Sequence, residues 1–149
     1  MKWVKSEDNI DNEILLELVK QKNSNLNREI AFKRRHLSEE VLKQLASDEW
    51  ELTRQAVGNR RDLPISVMRQ LAKDNTEFVR ETIAYKELLP MDLIRKFAKD
   101  NYSWIRWAMA KRYDLPDDVI ELLKNDSTEL VREAMINTIH KLQEINKRR

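Results

Sequence analysis

The chain has 149 residues, 41% of them apolar and 36% charged, and 28 Lys and Arg against 26 Asp and Glu leave a formal net charge of +2, too small to argue for nucleic acid by itself. One Gly and three Pro are too few turn formers for a multi-stranded barrel or a glycine-rich phosphate loop, so an all-α chain is expected, with apolar residues enough for a core. The absence of Cys removes disulfides, thiolate metal sites and a Cys nucleophile, and no apolar run approaches the roughly 18 residues of a membrane helix, so the expectation is a cytoplasmic protein with no membrane contact.

From the N-terminus, residues 1–10 lack the apolar centre of a signal peptide, and Trp3, Val4 and Ile10 can cover the helix that follows, so this segment reads as a cap. From residue 11 the chain repeats. Leu63-Pro64, Leu89-Pro90 and Leu115-Pro116 recur every 26 residues, and stepping back by that interval reaches Leu37-Ser38 and Asp11-Asn12. Five gapless repeats result: 11–36, 37–62, 63–88, 89–114 and 115–140. The last three read LPISVMRQLAKDNTEFVRETIAYKEL, LPMDLIRKFAKDNYSWIRWAMAKRYD and LPDDVIELLKNDSTELVREAMINTIH. Residues 141–149 form the second cap: Leu142 and Ile145 continue the stripe of Val131, Met135 and Ile139, so the last helix is expected to run past His140. No linker or low-complexity tract interrupts the series, which predicts one domain over 1–149.

The first half of each repeat carries apolar residues at i, i+1 and i+4, as in Val67, Met68 and Leu71 or Leu93, Ile94 and Phe97, the pattern of a one-sided helix. Pro near its start suits the first helical turn. Asp48, Asp74 and Asp126 each precede Glu51, Glu77 and Glu129 by three residues, the spacing of a capping box opening a second helix that buries Phe78, Val79 and Ile83. Each repeat is therefore two helices joined by a short turn, stable only when stacked on its neighbours.

The motif L-P-x-x-V/L-x-x-x-L/F-A-x-D followed by V/I-R-x-x-I/M-A stands here as LPISVMRQLAKD with VRETIA, LPMDLIRKFAKD with IRWAMA, and LSEEVLKQLASD with TRQAVG. It resembles the leucine-rich repeat variant family and, more broadly, HEAT-like α-solenoids. The resemblance spans about 130 of the 149 residues and implies an α-solenoid with an extended surface for macromolecular partners. The variant family's repeat is typically shorter, and the extra length favours a second α-helix of the HEAT kind. Its iron–sulfur cluster needs Cys ligands that this chain lacks, so neither that cluster nor any other cofactor is expected. A HEAT-like branch of DNA glycosylases is the enzymatic precedent.

Position 18 of the repeat is Arg in all five copies (Arg28, Arg54, Arg80, Arg106, Arg132), and position 12 is Asp in four (Asp48, Asp74, Asp100, Asp126), with Lys22 the exception. In HEAT-like proteins such an Asp followed six residues later by Arg commonly forms a hydrogen-bonded ladder between repeats. The two columns are therefore expected to be structural, against the alternative that five guanidinium groups track phosphates. His36 and His140 fall four repeats apart, too far to share a metal or form a dyad. Acids gather at positions 15 and 19 (Glu29, Glu51, Glu77, Glu81, Glu129, Glu133) and bases at 24 and 25 (Arg34, Arg35, Arg60, Arg61, Lys86, Arg112), with Glu87 the one acid there. This sorting complements the helix macrodipole and also offers a basic edge. Aromatics cluster in the fourth repeat, at Phe97, Tyr102, Trp104, Trp107 and Tyr113. Trp104 falls with the core stripe, whereas Trp107 takes a column otherwise Glu or Gln and should face outward near Lys111 and Tyr85.

The sequence thus predicts a non-enzymatic protein-interaction scaffold, anchored by Trp107, Tyr85 and Lys111 and rimmed by Arg60, Arg61 and Arg112. Its partner is expected to be another protein. The alternative is a nucleic-acid-binding solenoid using the same basic edge with Trp107 or Tyr85 for stacking. A third reading, a glycosylase, has Asp114 near Trp107 and Tyr113 as its candidate carboxylate.

Overall fold

The computed structural model describes residues 11–148; Trp3, Val4 and Ile10 of the expected N-terminal cap lie outside them. Among the described residues there are ten helices and no strands. They are α1 (Asn12–Lys20), α2 (Ser24–Lys33), α3 (Glu39–Leu45), α4 (Glu51–Gly58), α5 (Ile65–Leu71), α6 (Glu77–Ala84), α7 (Met91–Phe97), α8 (Ser103–Ala110), α9 (Asp117–Lys124) and α10 (Glu129–Lys147). The chain is all-α, and every 26-residue repeat holds one helix pair. As expected, α10 continues past His140.

Two compact units are present, one ending at Ile83 and the other beginning at Ala84. In the first, α1 packs on α3, α2 on α4, and α3 on α5, so helices at equivalent repeat positions lie side by side. In the second, α8 packs on α10, and α9 fills in against both α8 and α10.

Four repeat positions supply most of the interior of each unit, with Leu42 and Ile94 of position 6 also fully buried. Position 5 supplies Leu15, Val41, Val67, Leu93 and Val119; position 9 supplies Val19, Leu45, Leu71, Phe97 and Leu123. Position 21 adds Ala31, Val57, Ile83, Met109 and Met135, and position 17 adds Val79, Ile105 and Val131 with the polar Asn27 and Thr53. All are buried, and burying each large aliphatic side chain contributes about 1.5–3 kcal/mol. Position 9 lies one turn beyond position 5, as does 21 beyond 17, which gives each helix a single buried face. Phe78 was expected in this core, but it is half-exposed, because position 16 turns one residue away from the buried face.

The helix starts also differ from expectation. Pro64, Pro90 and Pro116 are N-cap residues and do not enter the first turn; their carbonyls accept from the amides of Met68, Ile94 and Ile120 at 3.0–3.1 Å. Capping boxes do not form. Asp48, Asp74, Asp100 and Asp126 instead accept at 2.8–2.9 Å from the amides of Trp50, Thr76, Tyr102 and Thr128, two residues on. This tight local bond delays the helix, so Glu51, Glu77 and Glu129 become its first residue, where their charge still complements the macrodipole. In the first repeat Lys22 takes the Asp's place with a left-handed φ of 57°, and Asn23 caps α2 by accepting from the Leu26 amide at 3.2 Å.

Candidate interaction surface

The Arg and Asp columns meet as a ladder. Arg54 Nε and Nη2 donate to both oxygens of Asp74 in the following repeat, at 2.7 and 3.1 Å, while its Nη1 donates to the Asp48 and Glu49 carbonyls of its own. Arg106 repeats this with Asp126 at 2.7 and 3.1 Å and with the Asp100 carbonyl at 2.7 Å. Arg80 and Arg132 make the same bond within their own repeats, to the carbonyls of Asp74 and Asp126. The bond to Asp74 holds the Arg54 guanidinium above its usual range, and Arg106 is raised likewise by Asp126. Burial pushes Asp74 and Asp126 up, but the guanidinium and the bonds from Thr76 and Thr128 outweigh it, so both carboxyls titrate below the ordinary range.

Arg28 does not join. The carboxylate it would need, Asp48, is already filled by Ser24 Oγ at 2.8 Å and Asn27 Nδ2 at 2.6 Å. The ladder expectation fails at this first Arg because Asn27, at the buried position 17, reaches the carboxylate in its stead.

The expected basic rim is largely a second structural device. Arg60 is nearly buried; its Nη1 donates to the Ala31 and Arg34 carbonyls, and its Nη2 to that of Arg35 at 2.7 Å, so it closes the C-terminal end of α2. Arg112 does the same for the end of α6, donating to the Lys86 and Glu87 carbonyls at 2.8 Å. Each fork is held by an Asp two residues on: Asp62 for Arg60, and Asp114 for Arg112 at 2.6 and 2.8 Å. Asp114, the candidate glycosylase carboxylate, therefore has the role of Asp62, and Arg112 keeps it below the usual carboxylate range. Arg61 is exposed and makes no hydrogen bond among the described residues.

The aromatic anchor does assemble. Tyr85, Trp107, Lys111 and Arg112 line one groove of about 260 Å³ in the second compact unit. Lys111 Nζ sits 4.3 Å from the Trp107 ring centre, and Trp104 meets Trp107 edge-on with centroids 5.5 Å apart. The two tryptophans exchange their expected places: Trp107 is half-buried beneath Lys111, and Trp104 is the more exposed.

Trp104 belongs to a column that the sequence reading missed. Position 16 is Leu26, Leu52, Phe78, Trp104 and Leu130, apolar in every repeat yet between 37% and 53% exposed. Size variation does not mark it in the sequence, because the buried position 21 also ranges from Ala31 to Met135. In the first compact unit, Arg28 and Phe32 of α2 with Leu52, Gln55, Ala56 and Asn59 of α4 line a further groove of about 370 Å³. No group of His, Asp and Glu able to hold a metal occurs among the described residues, and no described helix is long and apolar enough to cross a membrane. No family model, no curated protein and no solved structure matches the chain.

Proposed function

We propose that this chain is a non-enzymatic protein-interaction scaffold, a single α-solenoid of five HEAT-like helix pairs, as its resemblance to the leucine-rich repeat variant family implies. The observation that carries the reading is position 16. A lone exposed apolar residue is ordinary, but large ones recurring at one repeat position within each compact unit, Leu26, Leu52 and Phe78 in the first and Trp104 and Leu130 in the second, form repeated apolar patches, and such patches mark protein interfaces. The side-by-side packing of α1 with α3, α2 with α4 and α8 with α10 supports the solenoid arrangement. Nucleic-acid binding fits less well. Arg60 and Arg112 hold backbone carbonyls, so two of the three cations assigned to phosphate contacts are engaged within the fold.

The test is affinity capture of proteins from cell extract with the parent chain and with a Leu52→Glu/Trp104→Glu variant whose helicity is verified by circular dichroism. Proteins recovered by the parent and lost from the folded variant support the scaffold. Equal recovery by both removes position 16 as the contact surface.

A further inference from the structure

The groove between α2 and α4 differs from the aromatic groove in having a cation and an aromatic ring that the fold itself does not use. Arg28 stands where Arg54 and Arg106 each hold an Asp of the next repeat, yet it makes no hydrogen bond or ion pair among the described residues, because Ser24 and Asn27 fill Asp48. Phe32, one helical turn beyond Arg28, is 78% exposed and faces Leu52 and Ala56 across the groove. At about 370 Å³ the space is at the lower end of ligand-pocket volumes, enough for one large apolar side chain and its backbone.

The local charge selects the occupant. Glu29, the one acid lining the groove, is paired with Lys33 at 2.5 Å, and its carboxyl is lowered by that bond. A guanidinium with no partner among the described residues, beside an apolar wall and with the lining acid already paired to Lys33, fits a carboxylate next to a bulky apolar side chain. We propose that the α2/α4 groove binds an acidic peptide segment of a partner protein, with Arg28 taking an Asp or Glu carboxylate and Phe32 and Leu52 gripping an adjacent large apolar residue. This rests on the scaffold reading above and names the partner chemistry for one of its surfaces.

The test is selection of random twelve-residue peptides displayed on phage against the full chain, followed by titration of the synthetic winners. Peptides pairing Asp or Glu with Phe, Leu, Ile or Trp should dominate. Phe32→Ala should weaken them at least about tenfold. Arg28→Glu should weaken them at least about thirtyfold and bind the Lys-substituted versions of the same peptides instead, a charge swap that loss of folding cannot mimic. Thermal unfolding of both variants should match the parent. Winners without an acid, or acidic winners indifferent to Arg28→Glu, overturn the groove proposal and leave the scaffold standing. No enrichment of any peptide counts against both. Oligo(dT) or oligo(U) of twelve nucleotides binding more tightly than the winners, and losing that binding with Arg28→Glu, assigns the groove to single-stranded nucleic acid and overturns the proposal.

Discussion

Arg54 and Arg28 occupy the same repeat position and should answer mutation in opposite ways. The Arg54 and Asp74 side chains are nearly buried and bonded at two points, so Arg54→Ala strands a carboxylate and should cost about 3 kcal/mol. Arg28→Ala removes a side chain with no partner among the described residues and should change stability by less than about 0.5 kcal/mol. Urea denaturation of the two variants decides the matter, and equal losses would remove the distinction between a ladder residue and a groove residue. Lys22 is a second local case. Its left-handed φ of 57° costs an L-residue roughly 1–2 kcal/mol, and its ion pair with Glu49 is long, at 3.7 Å, and exposed. Lys22→Gly relieves that strain while loosening the unfolded chain, so a gain of up to about 1 kcal/mol is expected in the same assay, and a loss would show that the turn is not strained.

At the scale of helices, Gly58 of α4 lets the chain pass close to Thr82 of α6 in the first compact unit. A Cβ built on the buried Gly58 would come 2.8 Å from Thr82 Cβ and nearer still to its hydroxyl, which is tied at 2.6 Å to the Val79 carbonyl. Alanine favours a helix by about 1 kcal/mol over glycine, but overpacking typically costs 1–3 kcal/mol, so Gly58→Ala should be net destabilising. Differential scanning calorimetry would register this as a lower midpoint; an unchanged or higher midpoint would mean that α6 can move away. The helix pairs themselves were legible in the sequence because period, prolines and buried positions recur without a gap. Helix starts were not, since an Asp bonding the amide two residues on and an Asp capping the helix have the same spelling. Arg60 and Arg112 were misjudged for a related reason. A base near a helix C-terminus is read equally well as surface charge or as a donor to the carbonyls of the preceding repeat, and only the packed neighbour decides. Position 16 was read as core at Phe78 and Trp104 because a helix with apolar residues at 16, 17 and 21 shows a broad stripe, and the stripe's edge is fixed by how the helices rotate against one another.

Across the whole molecule, the Leu-Pro period continues unchanged through residues 63–116, so nothing in the sequence signals that one compact unit ends at Ile83, inside the third repeat. Each unit does contain one ladder pair, Arg54 with Asp74 and Arg106 with Asp126, and this gives the chain a common acid weakness. Both carboxyls titrate below the 3.8 of an ordinary Asp when folded. The stability they carry is therefore complete above that value, and it is lost as the pH falls through the lower folded values and the carboxylates become protonated. Over the same range the charge rises from +2 as 26 carboxylates neutralise and leave 28 Lys and Arg unopposed, so general repulsion adds to the loss. The two contributions separate in an Asp74→Asn/Asp126→Asn variant, which keeps the repulsion but has no ladder carboxylates to protonate. Urea midpoints measured at pH 7, 5 and 2.5 should be level for the parent between pH 7 and 5 and then drop steeply. The double variant should start lower at pH 7 and fall less between pH 5 and 2.5, converging on the parent. Parallel curves for the two proteins would show that the ladder carboxylates do not carry the acid sensitivity.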